Sequence, residues 1–116
     1  MKWLKINHDD AKSTFEYVEL PEDLSLWLDG VYRELSCESI EVVPTSFHPW
    51  VLVIDECGKL KDDWLSRLNT VASILYGSWI DCIVGDCLLC HRVGADLVPL
   101  SEDECQALFR RFGNVR

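Results

Sequence analysis

Two cysteines three positions apart and a following histidine, Cys87-x-x-Cys90-His91, form the stretch whose residue types and spacing suit covalent or metal chemistry. The same pattern attaches a c-type haem, supplies half of a zinc site, or makes a redox pair. Each use needs particular surroundings. Haem attachment needs export, and Met1 to Asp10 lacks the apolar core of a signal peptide. Structural zinc usually takes a second pair of ligands at similar spacing, whereas Cys37, Cys57, Cys82 and Cys105 are scattered. A redox pair sets its first cysteine at a helix N-terminus. Here Ile83, Val84, Leu88 and Leu89 read as strand. Strand positions three apart face opposite sides, so Cys87 and Cys90 cannot close on one metal. The pattern predicts two small buried apolar groups, with no metal and no cofactor.

Other chemistry is sparse. His8, His48 and His91 lie far apart in sequence, and no phosphate-cradling glycine loop or activated-serine motif appears. Asp81 and Asp86, five apart in the expected strand, face opposite ways and do not form an acid/base pair. The chain is therefore expected not to be an enzyme. Asn69, Asp81 and Gly85 are the candidate polar lining of a small ligand pocket, with Arg67, Arg92 and Arg110 as available cations. Tryptophan is a favoured interface anchor when exposed. Of the five, at positions 3, 27, 50, 64 and 79, Trp64 and Trp79 flank an expected helix over 62–76. With Asp62 and Asp63 they form a candidate partner-binding surface.

The elements that must position these residues follow from periodicity. Met1 to Ile6 and Thr14 to Leu20 read as a hairpin joined by a polar turn over 7–12. Pro21 opens a helix carrying Leu24, Trp27, Leu28, Val31 and Leu35. Strands follow over 39–45 and 50–55. Asp62 or Asp63 caps the next helix, whose stripe is Trp64, Leu65, Leu68, Val71, Ala72 and Leu75, and Gly77 stops it. A long central strand over 79–92 and a short one over 96–100 precede the capping box Ser101-Glu-Asp-Glu104. The order β-β-α-β-β-α-β-β-α predicts an α+β fold, a mainly antiparallel sheet with three helices packed on one face.

The 116 residues suit a single domain over 1–116. Twenty acidic residues against eleven basic ones give net −9, which argues against direct nucleic-acid binding. The excess either keeps a protein soluble or docks it on a basic groove. No apolar run reaches membrane-spanning length, and six cysteines without an export signal fit reduced thiols in a cytoplasm.

The block from Ser39 to Phe112 resembles a family known as domain of unknown function 3846. The matching features are Ile40-Glu-Val-Val43, Asp55-Glu-x-Gly58-Lys-Leu60, Asn69-x-x-Ala72-x-x-Leu75-Tyr76, Asp81-x-Ile83-Val-Gly85 and Leu100-Ser-x-x-Glu104. Members of that family occur in phages, prophages and conjugative elements, often near proteins that counter host restriction, and have no assigned catalytic residues. The family pattern has a looser loop where this chain has the expected helix over 62–76, so the helix looks like an addition. The resemblance implies a non-enzymatic accessory protein in the cytoplasm of a bacterial host, binding and inhibiting a host defence protein through an acidic surface. The alternatives are a protein that sequesters a nucleotide signal and, third, a small enzyme.

Overall fold

Among the described residues six short strands build one sheet, whose central strands are buried on consecutive positions. A computed structural model describes residues 1–9, 12–113 and 115; part of the turn expected over 7–12 falls outside these. The strands are β1 (Lys2–Asn7), β2 (Thr14–Glu19), β3 (Ile40–Pro44), β4 (Trp50–Asp55), β5 (Cys87–Val93) and β6 (Asp96–Pro99). Their order is β2-β1-β5-β4-β3, and every pairing between them is antiparallel. Residues 90 and 91 of β5 pair with both β4 and β6, so β6 continues the side of β5 that β1 leaves after Leu89. The α+β class and the expected order of elements are those observed.

The sheet is covered on both faces, not one. Trp3, Val51, Val53, Leu88 and Cys90 pack with Trp27, Val31 and Leu35 of α1 (Leu24–Leu35). Leu4, Ile6, Phe15, Leu52, Cys87 and Leu89 pack on the other side with α2 (Thr70–Tyr76) and α3 (Glu102–Phe112). The strands β1, β4 and β5 are apolar on consecutive positions because both of their faces are buried. Fully burying one such Leu, Ile or Phe contributes about 1.5–3 kcal/mol.

Local signals fix the helices. Asp23 caps α1 by accepting from the amides of Ser25 and Leu26. A Cβ on Gly30 would lie 2.8 Å from Leu20 Cδ2, so this mid-helix glycine lets α1 approach the end of β2. Both arms of the capping box at Ser101 and Glu104 are formed, and Gly113 ends α3 in the left-handed region.

Two expected elements are shorter than their apolar patterns. The helix over 62–76 is a 3₁₀ turn (Trp64–Arg67), a break at Leu68 and Asn69, and the seven-residue α2. The strand over 79–92 begins only at Cys87. Gly85, at φ 84°, ends the irregular lead-in. Residues 67–73 and 83–85 are stitched together instead. Leu68 bridges Val84, the Asn69 amide donates to Ile83 O at 2.9 Å, and the Gly85 amide donates to Arg67 O at 2.7 Å.

Candidate interaction surface

Large apolar side chains are left in water most densely between β4 and β5. Leu60, Leu65, Ile74, Trp79 and Ile80 are exposed, Trp79 completely (100%), and Trp64 is 39% exposed. Trp79 and Ile74 flank an apolar groove of about 420 Å³ whose other walls include Leu68 and Cys82. Isolated exposed apolar groups are ordinary; Ile74 and Trp79, which share one apolar groove, make that groove the candidate interaction surface.

The charges around this surface are unbalanced. Lys59 pairs with Asp81, and Lys61 Nζ lies 2.7 Å from Asp55 Oδ2 while donating to Ser36 O. Arg67 turns its guanidinium against Gly85, where a Cβ would lie 2.9 Å from Nη2. The three basic residues of the segment are thus neutralised or turned inward. Asp62 and Asp63 are exposed and carry no side-chain partner among the described residues. Asp63 takes the left-handed conformation (φ 62°) as it leads into the 3₁₀ turn. Asp62, Asp63, Trp64 and Trp79 therefore lie at the surface, with Trp79 the most accessible of the four.

The proposed pocket lining does not assemble. Asn69 is fully buried, and both ends of its side-chain amide are engaged. Nδ2 donates to Ile6 O (2.9 Å) and Gly85 O (3.0 Å), while Oδ1 accepts from Ser13 Oγ (2.7 Å) and the Ala72 amide (3.2 Å). It is the N-cap of α2 and the tie between β1, the loop before β2 and the lead-in to β5. Gly85 joins it through that one carbonyl. Asp81 is exposed, paired with Lys59, and shares no hydrogen bond with either. Of the three arginines only Arg67 reaches Gly85; Arg92 and Arg110 are exposed on β5 and α3.

The cysteines fall as strand geometry requires, Cys87 and Cys90 on opposite faces of the sheet. Burial raises both thiols, Cys90 to about 12. Among the described residues no three His, Cys, Asp or Glu side chains are arranged to hold a metal ion.

Two polar clusters escape the linear pattern. His8 Nδ1 lies 2.6 Å from Asp86 Oδ1, and Lys5 Nζ lies 3.7 Å from Asp86 Oδ2 and 3.1 Å from Glu34 Oε2. On the other face Glu104 accepts from Trp50 Nε1 (2.8 Å) and the Ser101 amide (2.9 Å), with His91 Nε2 at 2.8 Å. Burial works against charge on Glu104, but the Ser101 amide, the indole, the imidazole and the Ser101 hydroxyl outweigh it and hold the carboxyl at about 2. His8 and Asp86 are 78 residues apart, and only the β1–β5 register brings them together.

A family model described as a domain of unknown function (DUF3846) matches residues 1–113. The chain belongs to that family. The match takes in β1, β2 and α1 as well as the block from Ser39 onward, so the likeness is not confined to the later two-thirds. No curated protein and no solved structure matches the chain. Among the described residues no helix is long and apolar enough to cross a membrane.

Proposed function

We propose that the protein is a non-enzymatic accessory protein that binds and inhibits a protein partner through the apolar, acid-edged surface between β4 and β5. The observation that carries this reading is Trp79, an aromatic side chain left wholly in water beside Ile80 and an apolar groove. Tryptophan in such a position is a typical binding hot spot. The free carboxylates Asp62 and Asp63 and the net charge of −9 call for a partner with a basic surface. In the phage and mobile-element setting of the family, the partner is a host defence protein. A DNA-binding nuclease or restriction component, whose groove is built to receive phosphates, fits the charge. The protein itself makes no direct contact with nucleic acid on this reading and acts in the cytoplasm of the bacterial host.

The test is capture of such a component from host lysate by the wild-type protein, by Trp79→Ser and by Asp62→Lys/Asp63→Lys. Removing the indole should weaken binding roughly 30-fold or more, the effect of losing about 2 kcal/mol. Reversing the two charges should flatten the salt dependence. Capture that ignores both changes and is insensitive to salt would remove this surface from the mechanism.

A further inference from the structure

The face opposite α2 and α3 holds a second feature that protein docking does not explain. Trp3 and Trp27 lie with ring centroids 5.3 Å apart, 5% and 7% exposed, and neither indole N–H has a hydrogen-bond partner among the described residues. Buried indole N–H groups ordinarily find an acceptor. Two orphans in contact form a local concentration of unmet donors. Both rings line a cleft of about 710 Å³, with Pro21, Leu24, Val98 and Pro99 among its other walls. That volume and that apolar lining suit a small molecule.

The rim decides which kind. Glu22 and Asp96 line the cleft, and among the described residues no Lys or Arg side chain does. The amino group of Met1 is engaged by Glu19 Oε2 at 2.9 Å. Lys2 sits near the ring of Tyr17, a residue that packs with the opposite face of the sheet. An anionic ligand would enter against two carboxylates with no cationic side chain among the described residues to meet it. We infer that the cleft is a binding site for an uncharged, planar heteroaromatic molecule carrying a ring-nitrogen or carbonyl acceptor for the indole N–H of Trp3 or Trp27. Water does not reach either N–H in this conformation, so a wall side chain must shift as the ligand enters. Met1 and Leu24, 57% and 72% exposed, are the wall residues freest to do so. The site is distinct from the surface around Trp79, and neither depends on the other.

The experiment is a titration of the ¹⁵N-labelled protein, with its five indole N–H resonances assigned, using caffeine as the uncharged probe and theophylline-7-acetate as its anionic counterpart. Caffeine should move the Trp3 or Trp27 indole resonance while leaving that of Trp79 in place. The anionic probe should bind at least about tenfold more weakly, and Glu22→Lys/Asp96→Lys should close that gap. Leu24→Asp, at an exposed wall position, should weaken caffeine binding without unfolding the protein. The inference is overturned if neither buried indole responds, as when each N–H is satisfied by the neighbouring ring. It is equally overturned if only Trp79 responds, or if both probes bind the wild type alike.

Discussion

Asn69→Ala should be among the most damaging single changes in the chain, through stability and not through a lost ligand contact. Its side-chain amide makes four hydrogen bonds of 2.7–3.2 Å from a position with no exposure to water. Losing the N-cap costs about 1 kcal/mol. The Ser13 hydroxyl and the carbonyls of Ile6 and Gly85 each lose a buried partner, at about 1–3 kcal/mol where nothing replaces it. Carbonyls tolerate under-satisfaction better than donors, so the sum is about 3–5 kcal/mol. Against a total stability of about 5–15 kcal/mol this is a large fraction. Urea unfolding followed by tryptophan fluorescence should show the midpoint falling accordingly. Asn69→Asp should recover only the share of the two bonds that Oδ1 accepts, from Ser13 and Ala72, since it sets a carboxylate against the carbonyls of Ile6 and Gly85. Ser13→Ala combined with Asn69→Ala should cost less than the two separately, because Ser13 also receives the Val71 amide at 2.8 Å and shares the network. A loss below about 1 kcal/mol for Asn69→Ala would refute the keystone role and return Asn69 to the list of ligand-binding candidates.

Three other outcomes follow from the same geometry. Gly85→Ala should destabilise by about 1–2 kcal/mol from its left-handed backbone alone, and Arg67→Ala should rescue only the part due to the 2.9 Å clash; full rescue would show that φ is unimportant there. Glu104 titrates at about 2 in the folded protein against 4.5 for a free side chain, so its contribution is complete above about 4.5 and is lost as pH falls toward 2. Thermal melts across that window should therefore decline more steeply for the wild type than for Glu104→Gln, and parallel curves would contradict the assigned hydrogen bonds. Iodoacetamide mapped by mass spectrometry should label the exposed Cys57 first and Cys87 and Cys90 only as the protein unfolds, whereas rapid joint labelling of the last two would place them outside the sheet.

What the sequence disclosed was whatever local chemistry decides. Ser101 and Glu104 form their box within four residues, Gly77 and Gly113 stop helices where a left-handed residue is required, and β4 spans Trp50–Asp55 as its apolar run indicates. Where tertiary contacts decide, the pattern misled. Trp64 and Leu65 keep helical spacing with Val71 and Leu75, yet the chain breaks between them because Asn69 turns inward to cap a new helix. The asparagine itself was the available signal, since its side chain competes for backbone partners and favours helix starts over interiors. Trp79 and Ile80 look like strand residues only if something covers them, and in the monomer nothing among the described residues does. The continuous apolar runs of β4 and β5 already implied two buried faces, which is incompatible with helices on one side alone. No linear cue foretold His8 with Asp86 or the unpartnered indoles of Trp3 and Trp27.

The failures of pattern concentrate where the proposed function lies, and there is a physical reason for the coincidence. A segment whose apolar residues all served the core would have obeyed helical or strand periodicity. Between Gly58 and Gly85 the core needs only Val71, Ala72, Leu75, Ile83 and Val84, and Asn69 with the Leu68–Val84 bridge pins that part down. The exposed large apolar groups, Leu60, Trp64, Leu65, Ile74, Trp79 and Ile80, are held outward by a backbone that is itself anchored. Solubility alone does not account for them, because each would be better replaced by a polar residue in a free monomer. Nor does the acidic excess, since Lys59 and Lys61 are already paired while Asp62 and Asp63 are not. On the proposed reading, the charge of Asp62 and Asp63 speeds encounter with a basic partner and the Trp79 indole slows release.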